Sequence, residues 1–209
     1  MEITAVILVG GKSTRLGQDK VFVEIGGRPL IQRVVGRLGS IAAHFVLVAA
    51  EPVADPMARY GVPALVVADR YPDKGSLGGL FTGLAAAPTE WSLVMATDMP
   101  FINPALIEHM TGLVEGYDLV LPVAGGQPQP THALYSKRCL APIERRVLAD
   151  QLKMIGFHEE IRVRRVEEPE LRQWDPDLLS FFNLNRPADL ELARRMAAAE
   201  STPAAPGQA

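Results

Sequence analysis

An α/β fold, with a doubly wound and mainly parallel sheet flanked by helices, is predicted for this chain of 209 residues by three observations. Short apolar runs rich in β-branched residues alternate with helix-like segments through about residue 125. The first run leads straight into a glycine-rich loop that carries cations, and a second glycine cluster follows the third run. Strands that are apolar nearly throughout are covered on both faces, as parallel strands with crossover helices are. Such sheets bind ligands in the crevice outside the carboxyl ends of their strands.

Ile3–Val9 reads as the first buried strand. Pro29–Leu38 reads as a helix with proline in its first turn and Leu30, Val34, Val35 and Leu38 on one stripe. Phe45–Ala50 and Ala64–Ala68 are the next strands. Leu80–Ala87 is an alanine-rich helix stopped by Pro88, and Leu93–Ala96 is a fourth strand. Asn103-Pro104 places a capping side chain before a proline and opens a helix through Leu113, ahead of a strand at Leu119–Val123. Beyond about residue 125 the rhythm changes. Thr131–Ser136 reads as a strand, Arg138–Ile155 as one or two helices, and Ile161–Val166 as an exposed strand carrying arginines. Phe181–Leu184 reads as a short buried strand and Pro187–Ala199 as an amphipathic helix. With no linker in view, residues 1–199 are expected to form one domain, with a nucleotide-binding half to about 125 and an acceptor-binding half from 126. Residues 200–209 are polar and proline-containing, and are expected to be disordered.

Composition narrows the function. A net charge of −3 does not suggest a nucleic-acid or membrane-surface partner. No apolar run approaches the roughly 20 residues of a membrane span, and the N-terminus lacks the layout of a signal peptide. The single cysteine, Cys139, excludes an internal disulfide and reads as a small packed hydrophobe. A cytoplasmic protein is expected.

The loop Gly10-Gly11-Lys12-Ser13-Thr14-Arg15-Leu16-Gly17-Gln18-Asp19-Lys20 is the chief chemical signal. Its glycines permit close approach of backbone to ligand, and Arg15 and Lys20 supply charge for a polyphosphate. A P-loop would need a glycine five residues before Gly11, where Val6 stands, and the dinucleotide spacing is also absent. Lys74-Gly75-Ser76-Leu77-Gly78-Gly79 precedes the helix at Leu80, so the small residues around Leu77 and Gly78 would let a base or ribose lie against the backbone. Asp98, after the fourth strand, suits Mg²⁺, which needs only one or two carboxylates beside phosphate oxygens and waters. Asp69 has the same placement after the third strand, where a base or ribose contact competes with a turn role. In Phe181-Phe182-Asn183-Leu184-Asn185 strand alternation puts both amides on one face. Asn183 is a candidate for the metal, and Asn185 for the acceptor or for a helix cap. His132, Arg145 and Arg146 are further candidates for an anionic acceptor, against structural or solvated roles.

Taken together, Leu8–Lys20, Gly75–Gly79, Thr97-Asp98-Met99-Pro100, Pro130–Tyr135 and Phe182–Leu190 resemble the bacterial molybdenum cofactor guanylyltransferases across about residues 3–195. The resemblance implies a Rossmann-like sheet of the nucleotide-diphospho-sugar transferase type. It also implies transfer of GMP from GTP to the terminal phosphate of molybdopterin, with pyrophosphate released and Mg²⁺ as cofactor. By position, Leu8, Val9, Gly10 and Gly11 would hold the nucleotide, Lys20 its phosphates, Asp69 the nucleoside, and Asp98 both nucleotide and Mg²⁺. Arg15, Lys20 and Asp98 are the catalytic candidates. GTP and molybdopterin are the implied partners, with other cofactor-biosynthesis proteins or apo-molybdoenzymes as protein partners. The chain departs from the family at Val9, where alanine is usual, and at Gly75–Gly79, where Gly-Pro-Leu-Ala-Gly is usual. The alternatives are a cytidylyltransferase or sugar-phosphate nucleotidyltransferase of the same fold, or a non-catalytic nucleotide-binding adaptor.

Overall fold

A computed structural model describes residues 1–9 and 20–200. In chain order the strands are β1 (Ile3–Leu8), β2 (Glu24–Ile25), β3 (Arg28–Pro29), β4 (Ala42–Ala49), β5 (Leu65–Ala68), β6 (Trp91–Ala96), β7 (Leu119–Ala124), β8 (Gln127–Pro128), β9 (His132–Ser136) and β10 (Val163–Val166). The helices are α1 (Leu30–Leu38), α2 (Pro56–Tyr60), α3 (Gly75–Ala86), α4 (Pro104–Thr111), α5 (Leu140–Leu148), α6 (Glu168–Leu171) and α7 (Pro187–Glu200). The central sheet has the order β10-β7-β9-β6-β1-β4-β5. β1 lies parallel to β4 and β6, and β4 parallel to β5. β9 runs against both β6 and β7, and β10 rejoins parallel to β7. The expected mainly parallel sheet is therefore present, with one strand reversed inside it.

Side-chain alternation along β1 builds two cores. Ile3, Ala5 and Ile7 pack with buried residues of α1, α4 and α7 on one face. Val6 and Leu8 pack with α3, α5 and Phe157 on the other. α3 approaches the sheet so closely that a Cβ on Gly83 would stand 2.1 Å from Val6 Cγ1. Cys139 is fully buried, and burial pushes its thiol up to about 12, as expected of a packed hydrophobe.

Several elements differ from the sequence reading. α3 begins at Gly75, so the second glycine cluster forms the first turns of the helix and is not a loop before it. The Arg138–Ile155 region forms one helix that ends at Leu148, where the chain turns through Asp150 at φ 58°. Phe181–Leu184 is not a strand: a 3-10 turn covers Leu179–Phe181, and Phe182 N–H is spent on Leu179 C=O. α2 and the β2–β3 hairpin carry too few residues to show a period. β4 starts three residues earlier than expected, at Ala42.

Candidate active site

The carboxyl ends of β6, β1, β4 and β5 form one continuous edge. Val9 extends the β1–β4 ladder by donating its N–H to Val48 C=O at 3.0 Å. Gly10, Gly11 and Arg15 lie outside the described residues, which resume at Lys20. Lys20 opens a 3-10 turn through Phe22 that is anchored by the buried side chains of Val21 and Val23. That anchor directs the ammonium across to β6, where Lys20 Nζ stands 3.4 Å from Asp98 Oδ2.

Asp98 sits on a turn fixed from several sides. Thr97 and Met99 beside it are buried, and Arg33 of α1 donates to Pro100 C=O at 3.0 Å. Leu184 N–H donates to Asp98 C=O at 2.9 Å, which brings Asn183 and Asn185 to the same turn. Asp98 Oδ1 is buried and has no hydrogen-bond partner among the described residues. An orphaned buried carboxylate oxygen costs stability unless something occupies it. A hard carboxylate oxygen is the donor type that Mg²⁺ takes, and Lys20 beside it suits the phosphates that would accompany the ion. Asn183 donates its Nδ2 to Phe181 C=O at 3.0 Å, which leaves its amide oxygen as an acceptor.

At the other end of the edge, Asp69 N–H donates to Ala49 C=O at 2.8 Å. Its Oδ1 accepts from Tyr71 N–H at 3.0 Å and from the Thr82 hydroxyl at 2.8 Å. Gly78 and Gly79 lie in the first turns of α3, and a Cβ on Gly78 would stand 2.8 Å from Tyr71 O. Leu77 turns its side chain fully into the core, so only its backbone is offered to the edge. Asp69 and Asp98 end strands three positions apart, about 14 Å at the usual strand spacing. A base, a ribose and a phosphate chain can lie across that distance.

The four acceptor candidates are not brought together. His132 is fully buried beneath Phe181, with ring centroids 4.8 Å apart and neither ring nitrogen hydrogen-bonded among the described residues. Burial pushes its imidazole down to about 4, so it is neutral and presents no surface to an acceptor. Arg145 and Arg146 both pair with Glu160, at 2.6 and 2.8 Å. Asn185 is exposed, and the helix-capping role open to it falls to Asp189, whose carboxylate accepts from the N–H groups of Asn185 and Arg186. Thr82 was not singled out in the sequence. Its one signal is a hydroxyl in the otherwise small and apolar stretch Leu77–Ala86.

Comparison with known proteins identifies the family. The profile of the MobA-like NTP transferase domain matches residues 5–161. A probable molybdenum cofactor guanylyltransferase from Pelotomaculum thermopropionicum is 39% identical over 197 residues, covering 94% of each chain. A molybdenum cofactor guanylyltransferase from Desulfosudis oleivorans is 36% identical over 193 residues, which is 91% of this chain and 94% of that one. The crystal structure of molybdopterin-guanine dinucleotide biosynthesis protein A from Archaeoglobus fulgidus superposes with a TM-score of 0.82 at 28% identity, covering 94% of this chain and all of that one. The chain belongs to the MobA-like NTP transferase family.

Proposed function

We propose that the protein transfers GMP from GTP to the terminal phosphate of molybdopterin. A terminal phosphate oxygen of the acceptor forms a new bond to the α-phosphorus of GTP, the bond from that phosphorus to the β-phosphate bridge breaks, and pyrophosphate leaves. The observation that carries the reading is the meeting of Lys20 with Asp98 at the strand edge, beside a buried carboxylate oxygen that has no partner among the described residues. The guanylyltransferases among the relatives span nearly the whole chain, and this favours GTP over CTP.

Phosphoryl transfer of this kind needs alignment and charge neutralisation more than covalent help. Lys20 offsets charge gathering on the departing pyrophosphate, with Arg15 as its partner in the reading. Asp98 and Asn183 would hold Mg²⁺, which when bound supplies charge neutralisation on the phosphate oxygens. Leu8, Val9, Gly10 and Gly11 bind through their backbone, and Asp69 faces the nucleoside. The acceptor approaches over Asn183–Asn185, the segment bonded to the Asp98 turn. Among the described residues no helix is long and apolar enough to cross a membrane. The reading places the reaction in the cytoplasm, with delivery to other cofactor-biosynthesis proteins or apo-molybdoenzymes.

The test is to incubate the protein with Mg²⁺ and each of the four NTPs, with molybdopterin or sugar phosphates as acceptor. Pyrophosphate release and a guanine dinucleotide product are expected with GTP and molybdopterin. Release with CTP or with a sugar phosphate instead supports a sibling transferase, and acceptor-independent binding without release supports the adaptor.

A further inference from the structure

We propose that Thr82 is the positioning residue for Asp69: its hydroxyl turns one carboxylate oxygen inward so that the other faces a hydrogen-bond donor of the bound nucleoside. The inference rests on the reading of Asp69 as a nucleoside contact and adds the residue that aims it.

Asp69 follows β5, the edge strand of the sheet, so no neighbouring strand steadies its outer side. A short side chain there would sample several rotamers unless something held it. Among the described residues two bonds hold it, and both fall on Oδ1, one from Tyr71 N–H and one from Thr82 Oγ1. The Thr82 hydroxyl is almost fully buried and also accepts the Arg70 N–H at 3.0 Å. It has one proton and two acceptors in range, Asp69 Oδ1 at 2.8 Å and Gly78 C=O at 3.0 Å. The carboxylate is the stronger acceptor as well as the nearer. A threonine inside a helix is a poor helix former whose hydroxyl tends to bond back to the preceding turn. Packing alone would be served as well by alanine or valine. What the hydroxyl adds is a clamp that joins α3 to the end of β5.

The consequence lies on the other oxygen. A Cβ on Gly79 would stand 3.9 Å from Asp69 Oδ2 and 3.3 Å from Leu8 Cδ2. Oδ2 therefore borders the side-chain-free face of Gly79, beside Leu8 Cδ2 and Val48 Cγ1, where a flat ring or a sugar can lie. An ionised carboxylate oxygen only accepts, so its counterpart is an N–H of the base or a ribose hydroxyl.

The experiment measures the Kd of Mg²⁺·GTP by calorimetry for the full chain and for Thr82→Val, Thr82→Ala, Thr82→Ser, Asp69→Ala and the double variant Asp69→Ala/Thr82→Val. Loss of the hydroxyl is expected to weaken binding about tenfold, as loss of a hydrogen bond to a charged group does. Thr82→Ser restores it. In the Asp69→Ala background Thr82→Val adds nothing further, which a purely structural role would not produce. Thr82→Ala carries the same test where valine disturbs the packing, and thermal unfolding identifies a variant that has not folded. Repeating the titration with ITP and with 2′-deoxy-GTP assigns the donor, since the analogue lacking it becomes insensitive to Thr82→Val. Independent, multiplying effects of the two substitutions overturn the inference alone, as do Thr82 variants that bind GTP within about twofold of the parent while Asp69→Ala is impaired. Unimpaired binding by Asp69→Ala overturns the reading of Asp69 and the inference with it.

Discussion

Lys20 Nζ stands 3.4 Å from Asp98 Oδ2, and the other oxygen of that carboxylate is buried with no partner among the described residues. The two residues are 78 positions apart, one at the end of the glycine-rich signature and one at the end of β6. The separation of 3.4 Å is longer than a strong charge-assisted bond.

Removing either charge should damage turnover far more than folding. Asp98→Asn and Lys20→Met are each expected to lower kcat by roughly 10²–10³ fold, the usual loss when one preorganised charge is taken from a transition state. Asp98→Asn should also flatten the dependence of the rate on Mg²⁺ concentration. Steady-state pyrophosphate release checks both, and near-normal turnover in either variant would remove that residue from the mechanism.

His132 predicts a loss of stability on mild acidification. Its folded imidazole is pushed by burial from 6.5 to about 4, against a weaker opposing pull from Asp175. The unfolded chain therefore binds more protons between those two values, and stability falls as pH drops through that window. The full effect is about 3 kcal/mol for this one group. His158, also lowered to about 4 by burial, adds to the loss in the same window. Thermal midpoints measured from pH 7 to 4 should decline less steeply for His132→Leu; parallel curves would contradict this.

Asp118 governs a second window at lower pH. Hydrogen bonds from Arg162, and then from Arg138, hold its carboxyl at about 2 against an ordinary 3.8. A depressed carboxyl stabilises above its unfolded value, and that contribution disappears as pH falls from about 4 to 2. Asp118→Asn should cost about 2 kcal/mol at pH 7 and should flatten the acid limb of a denaturant series in that range.

Gly83→Ala tests the closeness of α3 to the sheet. The added methyl would meet Val6 Cγ1 at 2.1 Å and Val48 Cγ2 at 3.1 Å, and both valines are stiff. Overpacking of this sort costs about 1–3 kcal/mol. A lower urea midpoint with an unchanged slope is the expected result, whereas an unaltered midpoint would mean that α3 can lift away freely.

The sheet was legible because its strands are apolar on both faces and separated by helix-forming runs, as in Ile3–Leu8 and Trp91–Ala96. Asp69 and Asp98 stand out in the sequence because a charged residue at the end of such a strand has no place in either core. Lys20 stands out because it closes the glycine-rich loop, and the structure brings it within 3.4 Å of Asp98. Placement of the acceptor candidates was not legible. A histidine at position 132 reads alike whether it faces a ligand or, as here, lies under Phe181, and an arginine does not declare its partner, which for Arg145 and Arg146 is Glu160. Phe181–Leu184 misled for a related reason. Its buried Leu184 is held by an N–H bond to Asp98 C=O, and Phe181 and Phe182 are half-buried against His132 and Phe101, with no ladder pairing among the described residues.

α7 has a consequence for biosynthesis. Its Ala197 methyl would lie 3.3 Å from a Cβ on Gly26, in the hairpin that follows the Lys20 turn, and its Glu200 pairs with Arg33, which holds the loop after Asp98. A ribosome makes this helix after every strand of the sheet. The nascent chain can therefore lay down its β-layer while still tethered, but the contacts that α7 adds to the Gly26 hairpin and to Arg33 form only once the helix has cleared the exit tunnel.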